Sequence, residues 1–176
     1  EQPLADVAWT LWNGRRAFEK RRVVVARDHG HAAHLLEQAE PRRVHNHNAL
    51  SRPDVVFLFP GGGAQYVGMA RHLYETEPVF AEWMDRGLEH LKSFETRDIR
   101  AIWLPEPGNE TQAAEALRQP SLQLPLIMIV EYALAQLWIS WGIQPKAVAG
   151  HSMGENTAAC LAGVMSFEDC IGLVHL

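Results

Sequence analysis

A serine flanked by two glycines, Gly150-His151-Ser152-Met153-Gly154, carries the plainest chemistry in this 176-residue chain. The spacing is that of a nucleophile elbow, in which a sharp strand-to-helix turn pushes the serine hydroxyl out towards solvent. Side chains at the two glycine positions would collide across such a turn. The flanking residues fit: 145–149 read as a short strand entering the turn, and 155–162 as a helix of small residues leaving it. The start of that helix would aim backbone N–H groups at any negative charge developing beside the serine.

A serine needs a base, and no histidine takes that place by spacing. His151 is the nucleophile's neighbour, so its side chain points elsewhere from the turn; His175 falls on a later helix, and His72 and His90 read as helix-surface positions. A second feature could serve the same chemistry. Asp54-Val55-Val56-Phe57-Leu58-Phe59 is a continuous apolar strand of the kind buried on both faces of a parallel sheet, and it runs into Pro60-Gly61-Gly62-Gly63-Ala64-Gln65. The Lys-Ser/Thr pair of a phosphate loop is missing, and so is GxGxxG spacing. The segment is better read as a turn whose bare N–H groups approach a ligand closely. His45 and His47 stand two apart without a partnering cysteine or carboxylate pair, and no metal site is expected.

The elements that must position these residues follow from periodicity. Residues 4–13 place Leu4, Val7, Ala8 and Leu11 at helical spacing before Gly14; 21–27 carry three consecutive β-branched residues and read as a strand; 31–40 read as a helix stopped by Pro41. Residues 41–53 are polar and basic without a period and read as a linker. Further on, 78–92 form a helix with Val79, Phe80, Trp83, Met84, Leu88 and Leu91 on one stripe, which is core. Residues 93–118 are loop-rich with short helical turns, 125–141 form an apolar helix capped by Gly142, and Ser166-Phe167-Glu168-Asp169 resembles a capping box.

Nine Lys and Arg stand against six Asp and Glu up to Pro53, and seven against fifteen from Asp54 onward, which places a boundary near residue 53. The net charge of −5 argues against general nucleic-acid binding. Cys160 and Cys170 have no CxxC spacing and read as reduced, buried thiols. The longest apolar run, Leu124 to Val130, is shorter than the roughly 20 residues a membrane span needs, so no span is expected and the chain reads as cytoplasmic.

Three motifs in order, Phe59-Pro60-Gly61-Gly62-Gly63-Ala64-Gln65-Tyr66-Val67-Gly68-Met69, Arg118-Gln119-Pro120 and Gly150-His151-Ser152-Met153-Gly154-Glu155, resemble the acyltransferase domains of type I modular polyketide synthases and the malonyl-CoA:acyl-carrier-protein transacylases. Leu4-Ala5-Asp6-Val7-Ala8-Trp9-Thr10-Leu11 with Gly14-Arg15-Arg16-Ala17-Phe18 resembles the linker between ketosynthase and acyltransferase in such synthases. The resemblance implies an α/β fold, with an α/β-hydrolase-like parallel core preceded by a small α+β linker domain over residues 1–52. Residues 53–176 would be the N-terminal part of the large subdomain, ending before the catalytic histidine, the carboxylate-binding arginine and the ferredoxin-like subdomain.

It implies that Ser152 is the acyl-carrying nucleophile, that backbone N–H groups of Gly62 and Met153 form the oxyanion hole, and that Gln119 and His151 bind substrate. The family usually has glutamine where Gly62 stands; a backbone donor survives that change. For Gln119, lining the acyl pocket and leading a helix with a bond to backbone are both open. The implied donor is malonyl-CoA or methylmalonyl-CoA, and Met153 follows neither extender pattern. The acceptor would be the phosphopantetheine of an acyl carrier protein, the neighbour a ketosynthase, and no bound cofactor is called for. Two rivals remain, a serine esterase or thioesterase of the α/β-hydrolase type and a non-catalytic docking fragment.

Overall fold

The computed structural model describes residues 2–51 and 53–175. The chain divides into two compact units between Pro53 and Asp54. In the first, α1 (Leu4–Asn13) precedes β1 (Lys20–Val24), α2 (His29–Gln38) and β2 (Val44–Asn48). Asp28 caps α2 by accepting the backbone N–H of His31 at 2.7 Å, the role a short acid serves at a helix start. The strands pair antiparallel, Lys20 opposite Asn48 and Val24 opposite Val44.

β2 corrects the reading of residues 41–53 as linker. Its sequence, Val-His-Asn-His-Asn, buries only Val44, so no apolar alternation announces it. The ladder to β1 and the bond from Arg22 Nε to Asn46 Oδ1, 2.6 Å, hold it in place. Leu35 and Val44 are the buried apolar residues of this unit, while Trp9 and Trp12 on α1 are 70% and 84% exposed.

The second unit runs β3 (Val56–Phe59), α3 (Arg71–Thr76), α4 (Pro78–Leu91), α5 (Ile99–Trp103), α6 (Glu110–Ala116), α7 (Pro120–Ser140), β4 (Ala147–Gly150), α8 (Gly154–Leu161) and α9 (Phe167–His175). β3 and β4 pair parallel, Val56 opposite Ala147 and Phe59 opposite Gly150. A parallel pair needs a long crossover, and residues 60–146 supply it. Expected burial on both faces of β3 is not found: Phe59 is buried, but Leu58 is 75% exposed and Val56 51%. With β4 alone beside it among the described residues, β3 keeps one open edge.

The apolar helix begins earlier than expected, at Pro120, whose ring suits a first helical turn, and Pro125 is carried inside it. By length and hydropathy α7 could cross a bilayer, yet it is packed in the core, with Leu122, Leu126, Met128, Ile129 and Ala133 buried against its neighbours. Its end is a Schellman turn: Gly142 N–H bonds Ile139 O and Ile143 N–H bonds Trp138 O, with Gly142 at φ 87°. That turn redirects the chain into β4. Tyr132 of α7 stacks on Phe167 of α9 at 4.5 Å, and Trp83 of α4 meets both edge-on. At Ser166 the expected cap is present, its Oγ accepting the Asp169 N–H at 3.0 Å.

α4 packs tightly on α7 at Gly87, where an added Cβ would stand 2.6 Å from Ile129 Cγ2. Gly87→Ala gains about 1 kcal/mol of helix propensity and loses about 1–3 kcal/mol to overpacking. The expected outcome in urea unfolding is net destabilisation. A double-mutant cycle with Ile129→Ala should recover most of that loss, because the clash goes with the isoleucine.

Candidate active site

The parallel pair ends where the chemistry begins. His151 N–H bonds Phe59 O at 3.0 Å, continuing the ladder one residue past β4, and the chain then turns through Ser152 at φ 54°. A left-handed conformation is unfavourable for a residue with a side chain, by roughly 1–2 kcal/mol, and serine has no local reason to adopt it. The surroundings impose it. An added Cβ on Gly150 would lie 2.1 Å from the Gly154 carbonyl carbon, and one on Gly154 would lie 2.3 Å from Phe59 O and 2.4 Å from Pro60 O. Backbone meets backbone at both positions, so α8 can start beneath the strand ends only if both are glycine.

Ser152 is exposed, and its Oγ has no hydrogen-bond partner among the described residues. The glycine-rich loop lies against it: an added Cβ on Gly61 would be 3.0 Å from Ser152 Cβ and 2.9 Å from His151 O. Among the described residues, the backbone N–H groups of Gly62 and Met153 donate to no backbone or side-chain acceptor. Met153 caps the N-terminus of α8 and is buried. The arrangement thus offers an exposed hydroxyl, two free N–H donors on the segments beside it and the positive end of a helix, which is what a tetrahedral oxyanion requires.

The remaining expected residues fall in two places. His151 is exposed, its Nδ1 3.4 Å from the Cβ position of Gly61. Gln119 sits at the start of α7 without a side-chain cap bond to backbone, and its Oε1 accepts from Arg97 Nη1. Arg97 also donates through Nε to Glu95 Oε1 at 2.8 Å and through Nη2 to Ser121 Oγ at 3.1 Å. These bonds hold the Glu95 carboxyl well below the usual range, at about 2. His175 joins this network, with Nε2 3.7 Å from Glu95 Oε2, and lies beside Phe94. The glutamine facing the glycine-rich loop is instead Gln123, its Oε1 3.6 Å from the Cβ position of Gly62.

Several positioning residues carry no motif. Trp103, fully buried, donates its indole N–H to Met69 O at 2.8 Å, and its carbonyl accepts Gly68 N–H at 2.7 Å, anchoring the far end of the glycine-rich loop. Glu131 is buried at 6% exposure in the middle of α7, and Thr157 of α8 donates to its Oε2 at 2.6 Å. Burial raises the Glu131 carboxyl to about 7 despite that bond. A lone glutamate after Ile129 and Val130 is the sequence signal that could have marked it. Glu131 also lines a cleft of about 600 Å³ walled by β3 and α7, with Phe57, Phe59, Ile127 and Ala135.

Residues 56–176 match the acyl transferase domain family, and residues 1–36 match the C-terminal region of CurL-like polyketide synthases. The chain belongs to the acyltransferase domain family of polyketide synthases and malonyl-CoA:acyl-carrier-protein transacylases, and it has their α/β fold. Among its relatives are the orsellinic acid synthase ArmB of Armillaria ostoyae, 37% identical over 97% of this chain and 8% of the relative, and the polyketide synthase GfsB of Streptomyces halstedii, 34% identical over 99% and 3%. The solved acyl transferase domain of ZmaA superposes with a TM-score of 0.89 at 38% identity, covering 99% of this chain and 40% of that one. For the transacylase MCAT of Streptococcus pneumoniae the values are 0.59, 34%, 69% and 36%. The chain spans about two-fifths of these solved domains and a small part of the curated synthases.

Two outcomes test the site. Ser152→Gly removes the left-handed strain and should stabilise the chain by about 1 kcal/mol in urea unfolding, whereas Ser152→Ala should not. For Glu131 the unfolded carboxyl ionises near its usual 4.5 and the folded one near 7, so the neutral acid's contribution is complete below 4.5 and is lost as pH rises through 7. Unfolding free energies from pH 5 to 8 should therefore fall relative to Glu131→Gln by roughly 2.5 kcal/mol.

Proposed function

We propose that this acyltransferase works through a Ser152 ester, moving a malonyl-type group from coenzyme A to the phosphopantetheine thiol of an acyl carrier protein. The observation that carries the reading is the strained, exposed Ser152 beside the N–H groups of Gly62 and Met153, which have no acceptor among the described residues. Ser152 Oγ attacks the thioester carbonyl, its proton passes to a base, and the C–O bond forms as charge collects on the carbonyl oxygen between the two N–H donors. Collapse expels the coenzyme A thiolate, which takes up a proton. The carrier thiol then repeats the steps in reverse order on the ester, regenerating the serine hydroxyl. Each oxyanion donor of this kind is worth roughly 10²–10³ in rate.

No described histidine bonds Ser152 Oγ, so in this reading the base belongs to polypeptide outside the described residues; the solved ZmaA domain, about two and a half times as long, supports it. One structural neighbour, the SpnD acyl transferase domain, is solved in complex with 2-(pent-4-yn-1-yl)malonyl, which supports a malonyl-type substrate. A polyketide-synthase setting is supported by the match of residues 1–36.

Intact-mass measurement after incubation with malonyl-CoA tests the reading. The chain should gain one malonyl group, slowly, faster with added imidazole as an external base, and not at all as Ser152→Ala. No mass gain with imidazole overturns the acyl-enzyme. Free malonate released at the same rate with and without carrier protein would make the site hydrolytic, like an esterase or thioesterase.

A further inference from the structure

The second unit buries an acid that the acyl-transfer chemistry does not touch. Glu131 lies mid-helix in α7, with Ile127, Val130 and Ala135 around it on the wall of the cleft, and no Lys or Arg pairs with it among the described residues. Its Oε1 is buried without a hydrogen-bond partner among the described residues. An uncompensated buried carboxylate is costly, which favours the neutral acid. Simple packing would be served better by leucine or methionine at this position.

What the acid reaches is the root of the elbow. Thr157, fully buried, is the fourth residue of α8, and its Oγ1 stands 2.6 Å from Glu131 Oε2 and 3.9 Å from Met153 Sδ. One hydroxyl proton serves one acceptor. With Glu131 protonated, the acid can donate to Thr157 Oγ1 and leave the threonine proton to the methionine sulfur. In both states a buried hydrogen bond ties the core helix α7 to the first turn of α8, and with the acid protonated the threonine hydroxyl reaches on to Met153 Sδ. Turn bonds at the same place, Gly154 N–H to His151 O and Glu155 N–H to Ser152 O, both 3.0 Å, depend on where that first turn of α8 is held.

We propose that Glu131 is a positioning residue: through Thr157 it fixes the Met153 end of α8 beneath Ser152, and so sets the oxyanion donor against the nucleophile. The proposal rests on the acyl-transfer reading for its kinetic consequence but not for its structural one. Loss of the connection should weaken a contact made with the developing oxyanion more than one made with bound thioester, so it should appear in the maximal rate rather than in half-saturation.

The test compares the chain with Glu131→Leu, Thr157→Val and Glu131→Gln, each at a temperature where its thermal melt shows it folded. Hydrogen exchange is read at the amides of Gly154, Glu155 and Asn156 and, as reference, at those of α4. In the two apolar variants exchange at the elbow should rise about tenfold or more with α4 unchanged. Imidazole-assisted acylation by malonyl-CoA should then slow about tenfold at saturation with half-saturation within about twofold. Glu131→Gln keeps a hydrogen-bonding partner for Thr157 and should restore both readouts. The proposal is overturned by unchanged elbow exchange in either apolar variant, by acceleration spread evenly over α4 and the elbow, or by a glutamine variant that behaves like leucine. If the unaltered chain does not acylate, the acyl-transfer reading falls, and the exchange pattern still decides whether Glu131 holds the elbow.

Discussion

Backbone-on-backbone contact at Gly154 is the constraint on which the rest depends. The carbonyls of Phe59 and Pro60 occupy the space that any side chain at 154 would need. Because β3 supplies those carbonyls and β4 delivers Gly150 opposite Phe59, the two strands and α8 converge on one point with no side chain between them. The left-handed Ser152 is what remains once the strands and helix are fixed, a strain held by the packing around it rather than chosen by the residue. The glycine-rich loop then leaves β3 over the same point, which is why its N–H groups arrive beside the serine.

Around this junction the chain divides labour by element. α7 fills the core, and the stretch from Leu122 to Ala133 packs against α4, α8 and α9. Its mid-helix acid adds a polar connection to α8 in a setting that otherwise offers dispersion contacts. Glu95, by contrast, sits in a network with Arg97, Gln119 and Ser121 that joins the α4–α5 connection to the start of α7. Two buried carboxyls thus move in opposite directions, one up by desolvation and one down by a guanidinium, and their partners determine which.

How far the sequence could be read depends on whether the forces are local. The elbow was legible because a turn with no room for Cβ writes glycine at 150 and 154, and α4 because Phe80, Met84, Leu88 and Leu91 recur at helical spacing. β2 was not, since His45, Asn46, His47 and Asn48 are held by pairing with β1 and leave no apolar period. The continuous apolar run of β3 reads as a doubly covered strand, while Val56 and Leu58 are exposed beside β4. Gln119 could be placed at a helix start, but its partner Arg97 lies 22 residues away, a distance no local rule spans. Thr157 and Glu131 are in the same position, 26 residues apart in sequence and joined by a fold.

The tie between Trp103 and the segment Gly68–Met69 bears on which changes of chain length the unit can absorb. The glycine-rich loop is held at both ends, by the strand ladder at Phe59 and by the indole and carbonyl of Trp103. An insertion within α5 would rotate the indole off Met69 and release the loop at its far end, though Trp103 lies 34 residues on from Met69 in the chain. Residues 106–109, exposed and turning through Gly108 at φ 96°, sit past the tie, and extra residues there would lengthen the surface without moving the loop. Insertion tolerance in this stretch therefore follows the ties that Ile99, Arg100 and Trp103 make rather than how loop-like the sequence looks.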